Sequence, residues 1–100
     1  MSEAAPGASE RLDHWLWCAR VAKTRTACAA IAERGCVRIN RQPTDKPHAK
    51  VRVGDVLTIA VGQGERGAIR IWRVLALAQR RGPPVEARGL YEEIAPDEEG

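Results

Sequence analysis

The sequence predicts an α+β domain in which two packed helices lead into a small, mainly antiparallel sheet. Three observations predict it. Apolar residues recur at helical spacing up to Gly35, the period changes to two directly afterwards, and the later apolar runs are β-branched and separated by Gly- and Pro-containing turns. One hundred residues make a single small domain, with one core and little to spare.

"RLDHWLWCAR", residues 11–20, reads as the first helix. At about 100° per residue, Leu12, Trp15, Leu16 and Ala19 share one face, while Trp17 falls on another side near His14 and Asp13. "TRTACAAIAER" reads as the second helix, capped by Thr24 and ended by Gly35, which suits the left-handed conformation at a helix C-terminus. Its apolar stripe reads as Ala27, Ala30 and Ile31. The link at residues 21–23 allows only a tight turn, so the two helices must pack together.

In "CVRIN", Val37 and Ile39 point one way while Cys36, Arg38 and Asn40 point the other, as on a half-buried strand. Asn40-Arg41 and then "QPTDKP" read as turns. "VRVGDVLTIAV" contains a Gly54-Asp55 turn followed by a strand over 56–61, and "AIRIWRVLAL" is another strand. "GQGERG" between them reads as a hairpin loop. Its formal match to a dinucleotide-binding pattern lacks the helix that must follow such a loop. "RRGPPVEARGLYEEI" holds a short helix starting near Pro84, since Pro suits the first helical turn. The expected organisation is a flexible segment at 1–10, the domain at 11–78, and a C-terminal segment at 79–100 that packs back and frays at its acidic end.

The formal net charge of +3 hides an asymmetry. All 16 Lys and Arg lie between Arg11 and Arg88, whereas the last ten residues hold five acids and no cation. Residues 11–52 carry ten cations against Asp13, Glu33 and Asp45, an excess of seven positive charges. Such a block points to a polyanionic partner, nucleic acid first, with a merely soluble basic surface as the plain alternative.

Enzymatic constellations are thin: there is no nucleophile elbow, no phosphate-binding loop and no pair of carboxylates in an apolar setting. Cys18, Cys28 and Cys36, with His14 and His48, show no zinc-ligand spacing, and the thiols read as small buried hydrophobes. No cofactor or metal is expected. No apolar run approaches a membrane span and no signal peptide is recognisable, so a soluble cytoplasmic protein, acting as a monomer, is expected.

The basic positions say more. Lys23 and Arg25 straddle Thr24 at the start of the second helix, where the dipole disfavours cations by about 0.3–1 kcal/mol each. A bound phosphate reverses that sign, because it meets free N–H groups and two cations together. Arg25 also lies beside Ala29 and Ala32 on the helical wheel. Small side chains there either let a sugar-phosphate backbone approach or simply favour the helix. Trp15 reads as core, and Trp17 and Trp72 as packing under the C-terminal segment rather than as stacking platforms for bases.

"RLDHWLWCARVAKTRTACAAIAERGCVRIN", with Lys46-Pro47 and "VRVGDVL", resembles an S4 RNA-binding domain, and "LYEEI" extends the likeness toward the C-terminus. The form is similar in particular to the heat-shock protein 15 family of ribosome-associated proteins. The resemblance implies an α-L motif, two packed helices and a strand-and-loop region that together grip structured RNA. It places RNA contacts on Arg11, Arg20, Lys23, Thr24, Arg25, Arg34, Arg38, Asn40 and Lys46. Arg41 and Lys50 join them as basic turn residues. It also implies binding to ribosomal RNA of the large subunit, with tRNA as a further RNA partner, in stress-related ribosome rescue or recycling, and weaker DNA binding. Two departures stand out: Asn40-Arg41 replaces the usual Asn-Gly turn, and the sequence is acidic where relatives can continue into a basic extension. A general nucleic-acid binding protein or chaperone is the alternative. A detached S4 module of an RNA-modifying enzyme is a further one, but it would need a catalytic domain for which too few residues remain.

Overall fold

The computed structural model describes residues 8–61 and 68–94. The chain runs β1 (Glu10–Arg11), α1 (Leu12–Cys18), α2 (Arg25–Glu33), β2 (Val37–Ile39), β3 (Gln42–Thr44), β4 (Lys50–Val51), β5 (Val56–Val61), β6 (Ala68–Val74), α3 (Pro84–Arg88) and β7 (Tyr91–Glu93). Five strands form one antiparallel sheet in the order β3-β2-β5-β6-β7, and β1 pairs with β4 in a separate two-stranded ladder. This is the expected α+β architecture of two packed helices leading into an antiparallel sheet, with the short helix at Pro84 in place.

The core forms where the two helices meet the sheet. Leu12, Trp15, Leu16 and Ala19 of the first helical region pack with Val37, Val51, Leu57, Ile59, Trp72 and Val74. The inward face of α1 is therefore the one its spacing predicts. That of α2 differs: Cys28 and Ala32 are fully buried, while Ala27 is exposed and Ala30 and Ile31 are half-buried. Ala27, Ala29, Ala30 and Ala32 stand near Cys28 along the helix, so hydrophobicity alone gives this helix no clear direction. Its buried pair is set by packing against α1.

Both helices end in the same backbone device. After α2, Gly35 takes φ 77°, with its N–H donating to Ala32 O and that of Cys36 to Ile31 O. After α1, Arg20 takes φ 65°, with its N–H donating to Trp17 O and that of Val21 to Leu16 O. These paired bonds satisfy the last helical carbonyls. The second instance uses an arginine, so no glycine marks it in the sequence, and α1 stops earlier than the spacing predicts.

Two further segments differ from the sequence reading. "QPTDKP" is not wholly turn, because Gln42–Thr44 pairs with β2 across a two-residue hairpin. Asn40 and Arg41 form that hairpin with φ of 52° and 73°, as the primed turn requires. Pro43 is tolerated because β3 is an edge strand. Glu10, placed in the lead-in by sequence, pairs with Val51, and its Oε1 accepts from the Ala78 N–H at 2.9 Å. The C-terminal segment packs back through β7 on β6. Trp72 lies stacked on Tyr91 with ring centroids 3.7 Å apart, and Trp15 meets both rings edge-on. Trp17 is half-buried, with the Arg81 guanidinium 5.9 Å above its ring. The aromatics thus pack beneath the C-terminal segment, as expected. The "GQGERG" loop and residues 95–100 of the acidic end lie outside the described residues. Among the described residues, no helix is long and apolar enough to cross a membrane.

Candidate nucleic-acid interface

The site is assembled around a carboxylate. Asp13 sits in the first turn of α1, where the helix dipole favours an acid. Its side chain is only 6% exposed and faces two arginines. Arg11, at the N-cap of α1, donates to both carboxylate oxygens, Nε to Oδ1 at 3.2 Å and Nη2 to Oδ2 at 3.1 Å. Arg25, the first residue of α2, approaches Oδ1 with Nη2 at 3.5 Å. One buried acid thus gathers the cations that open both helices. Sequence reasoning counted Asp13 only as a charge to subtract; its place between two arginines depends on how α1 and α2 pack.

Thr24 caps α2 as expected, its Oγ1 accepting from the Ala27 N–H at 3.0 Å. Lys23, Thr24 and Arg25 are all exposed, and the first turn of α2 holds no acid. Arg25 is nevertheless not an uncompensated cation at the positive end of a dipole, because Asp13 stands beside it. Only Lys23 keeps that unfavourable placement. The small-residue face beside Arg25 is also narrower than the wheel implies, since Ala32 is buried in the core and Ala29 is half-buried.

The β1–β4 ladder extends the surface. Arg11 and Lys50 are cross-strand partners, and the Leu12 and Asp13 N–H groups donate to the carbonyls of Ala49 and Pro47. The start of α1 is therefore bonded to the loop that carries Lys46 and Lys50. Lys46 is exposed, with Nζ 3.8 Å from the equally exposed Asp45, a contact worth little in water. Beyond Lys50, a surface groove is lined by Asn40, Lys50 and Arg52, among others. Arg52 went unassigned in the sequence reading, and its exposed place next to β4 is what brings it in.

The remaining positions are scattered or committed elsewhere. The Asn40 side chain is occupied, its Nδ2 donating to Asp55 Oδ1 at 3.1 Å and its Oδ1 accepting from the Val56 N–H at 2.9 Å. It fastens the β2–β3 turn to the start of β5. Arg41 is exposed at the tip of that turn. Arg20 turns toward the C-terminal segment, donating from Nε to Gly82 O at 3.1 Å, and lines a different groove with Arg70 and Arg88. Arg34 caps the end of α2, and Arg38 stands on the solvent side of β2, cross-strand from Pro43 and Thr58. The structure thus unites Arg11, Lys23, Thr24, Arg25, Lys46 and Lys50, and leaves Arg20 apart.

The opposite edge of the sheet is balanced. Arg73 pairs with Glu92 at 3.0 Å and Arg70 with Glu93 at 3.6 Å. Two acids of the C-terminal stretch therefore answer cations on β6, not those on the helices. Of the cysteines, Cys18 and Cys28 are buried and Cys36 half-buried. Burial pushes the Cys18 thiol up to about 11 and raises that of Cys28, so neither is a ready nucleophile.

The S4 domain family model matches residues 10–57, which span both helices and the strands that carry the cationic surface. The chain is 41% identical over 90 residues to heat shock protein 15 of Escherichia coli K12, covering 90% of this chain and 64% of that protein. It is 43% identical over 84 residues to the heat shock protein 15 homolog of Haemophilus influenzae, covering 83% of this chain and 60% of that one. It therefore spans less than two thirds of the length of these curated relatives. A trimeric structure of heat shock protein 15 from Vibrio cholerae superposes with a TM-score of 0.76 at 34% identity, covering 88% of this chain and 84% of that one.

Proposed function

This chain belongs to the heat shock protein 15 family of S4-domain proteins, and from that premise we propose that it binds structured RNA without catalysing a reaction. The target is ribosomal RNA of the large subunit, in the cytoplasm, in ribosome rescue or recycling under stress. The observation that carries this reading is the Asp13 bracket. It holds Arg11 and Arg25 together at the openings of two helices, beside Lys50 and the Lys46 turn. Guanidinium groups fixed at a common carboxylate keep outward N–H donors for phosphate oxygens, and the exposed start of α2 offers backbone N–H groups next to Lys23.

In this reading Arg11, Lys23, Thr24, Arg25, Lys46 and Lys50 form the phosphate-binding centre, and Arg34, Arg38 and Arg41 flank it. Arg20 and Asn40 act by fixing the backbone, through Gly82 in one case and through Asp55 and Val56 in the other. The occupied aromatics favour recognition of folded RNA by its backbone over stacking on unpaired bases.

The test is binding of the full chain to large-subunit rRNA fragments, tRNA and duplex DNA at matched salt, with sedimentation of the tagged protein through a ribosome gradient. A preference of about tenfold or more for an rRNA fragment, corresponding to about 1.4 kcal/mol, is expected, with co-sedimentation in the large-subunit peak. Equal affinity for duplex DNA would replace this reading by general nucleic-acid binding. The acting unit is taken as a monomer, while the Vibrio cholerae relative is trimeric; sedimentation equilibrium of the full chain separates the two states.

A further inference from the structure

Where β1 passes into α1, Glu10, His14 and Cys18 converge, and their ligand atoms all lie within 4.8 Å of one another. The His14 ring stands 3.8–3.9 Å from Cys18 Sγ, and its Nδ1 contacts Glu10 Oε2. We propose that these three side chains form a binding site for a zinc-class divalent cation. The spacing search on cysteine and histidine alone could not find it, because the third donor is a carboxylate on the preceding strand.

Geometry carries the argument. In tetrahedral coordination with a metal–sulfur bond of about 2.3 Å and metal–nitrogen and metal–oxygen bonds of about 2.0–2.2 Å, neighbouring ligand atoms lie roughly 3.4–3.6 Å apart. The observed cluster needs shifts of no more than about 1 Å to reach that spacing. Nδ1 and Oε2, which now share a hydrogen bond, open to admit the ion, and the sulfur closes toward it. A thiolate–imidazole–carboxylate set matches a borderline-soft cation rather than calcium or magnesium, which take oxygen ligands.

The surroundings fit as well. Glu10 Oε1 is already held by the Ala78 N–H at 2.9 Å, which fixes the direction of Oε2, the oxygen that now meets His14 and would ligate the ion. The Glu10 and His14 side chains are 9% and 18% exposed, so an ion can enter while little water surrounds it. On binding, the Cys18 thiol proton and the proton between Nδ1 and Oε2 both leave to solvent. The metal takes the second proton's place while Nε2 keeps its hydrogen, so that His14 ligates as neutral imidazole. The thiolate and the carboxylate then cancel the two positive charges, so the ion adds no net charge to a nearly buried place. Three protein donors leave a fourth position for water.

Cobalt is the probe. The untagged chain, kept reduced, is titrated with Co²⁺ and then with Zn²⁺. One equivalent of cobalt is expected to give a thiolate-to-cobalt charge-transfer absorption that zinc abolishes. The band should persist when Cys28 and Cys36 are both replaced by serine, and disappear in Cys18→Ala. Affinity should fall by about tenfold or more in Glu10→Gln and His14→Gln. Zinc should raise the melting temperature of the parent but not of Cys18→Ala. Absence of the band at millimolar cobalt, or its survival in Cys18→Ala, overturns the proposal. If Cys18→Ala proves unfolded by circular dichroism, Glu10→Gln and His14→Gln decide: unchanged cobalt affinity in both overturns it equally.

Discussion

Replacing Asp13 with asparagine separates two accounts of the cationic surface. The substitution keeps the shape of the side chain and one acceptor, but removes a negative charge from a chain of formal net charge +3. If charge alone governs RNA affinity, Asp13→Asn binds more tightly. If the carboxylate positions Arg11 and Arg25, it binds less tightly despite the added charge. The structural loss can be bounded. A charge-assisted hydrogen bond is worth about 1.5–3 kcal/mol and an exposed ion pair about 0–1 kcal/mol. The carboxylate is 6% exposed, whereas its arginine partners are 52% and 45% exposed, so solvent screens much of each contact. The total is then about 1–2 kcal/mol, which lowers the melting temperature of a domain this size by roughly 5–15 °C. For RNA, freeing both guanidinium groups should cost about tenfold, or 1.4 kcal/mol, and reduce the salt slope by about one. The assay is filter binding or anisotropy with an rRNA fragment across a salt series, on protein shown to be folded at the assay temperature. Affinity equal to or above that of the parent at every salt concentration refutes the positioning argument.

Three other outcomes are expected. Lys23→Ala weakens RNA binding severalfold and leaves the melting temperature equal or slightly raised, since only Lys23 bears the dipole penalty of about 0.3–1 kcal/mol; Arg25→Ala weakens binding without that gain, because it breaks the contact to Asp13. Paired melting curves and salt titrations of the two variants check this. Thr24→Ala removes the acceptor for the Ala27 N–H and should cost about 1 kcal/mol, seen as a melting temperature lower by roughly 4–8 °C. The Cys28 thiol is raised above its ordinary value of 9.0 by burial, so the neutral form is favoured in the folded chain. Its contribution to stability is complete below pH 9.0 and is lost as pH rises above it, so Cys28→Ala should show a flatter decline in denaturation midpoint on the alkaline side.

What could be read from the sequence was whatever a single local signal decides. Thr24 and Gly35 bound α2 because a cap oxygen and a left-handed residue are chemically distinctive. The change to period two at Cys36 and the β-branched runs placed β2, β5 and β6. What escaped was set by tertiary partners. Arg20 adopts a conformation that glycine would advertise, and nothing in "CARVAK" does so. Cys28 and Ala32 face inward because α1 lies there, although Ala27, Ala30 and Ile31 score as well on a wheel. Asp13 and Glu10 look like ordinary surface acids until Arg25 and Ala78, distant in sequence, are brought beside them. The cationic residues were legible as a set, but their division was not. Arg20 belongs with the C-terminal segment and Asn40 with the turn it holds, while Arg52 joins Lys50 in one groove.

That division explains why net charge is a poor guide to this molecule. Arg70 and Arg73 lie on β6 opposite an acidic strand, and the pairing of Arg73 with Glu92 follows from the register of β7. A slip of one residue would turn Glu92 to the other face and release Arg73, since side chains alternate along a strand. The last strand therefore does more than close the sheet. It pairs two cations on β6, and Arg20 and Arg88 line a separate groove, while Arg11, Lys23, Arg25, Lys46 and Lys50 gather on the side built from α1, α2 and the β4 loop. There a single acid, Asp13, is shared between two arginines, so it orders them without cancelling both. A polyanion approaching the protein meets a field with a direction, supplied by where the acids are spent within the fold rather than by how many there are.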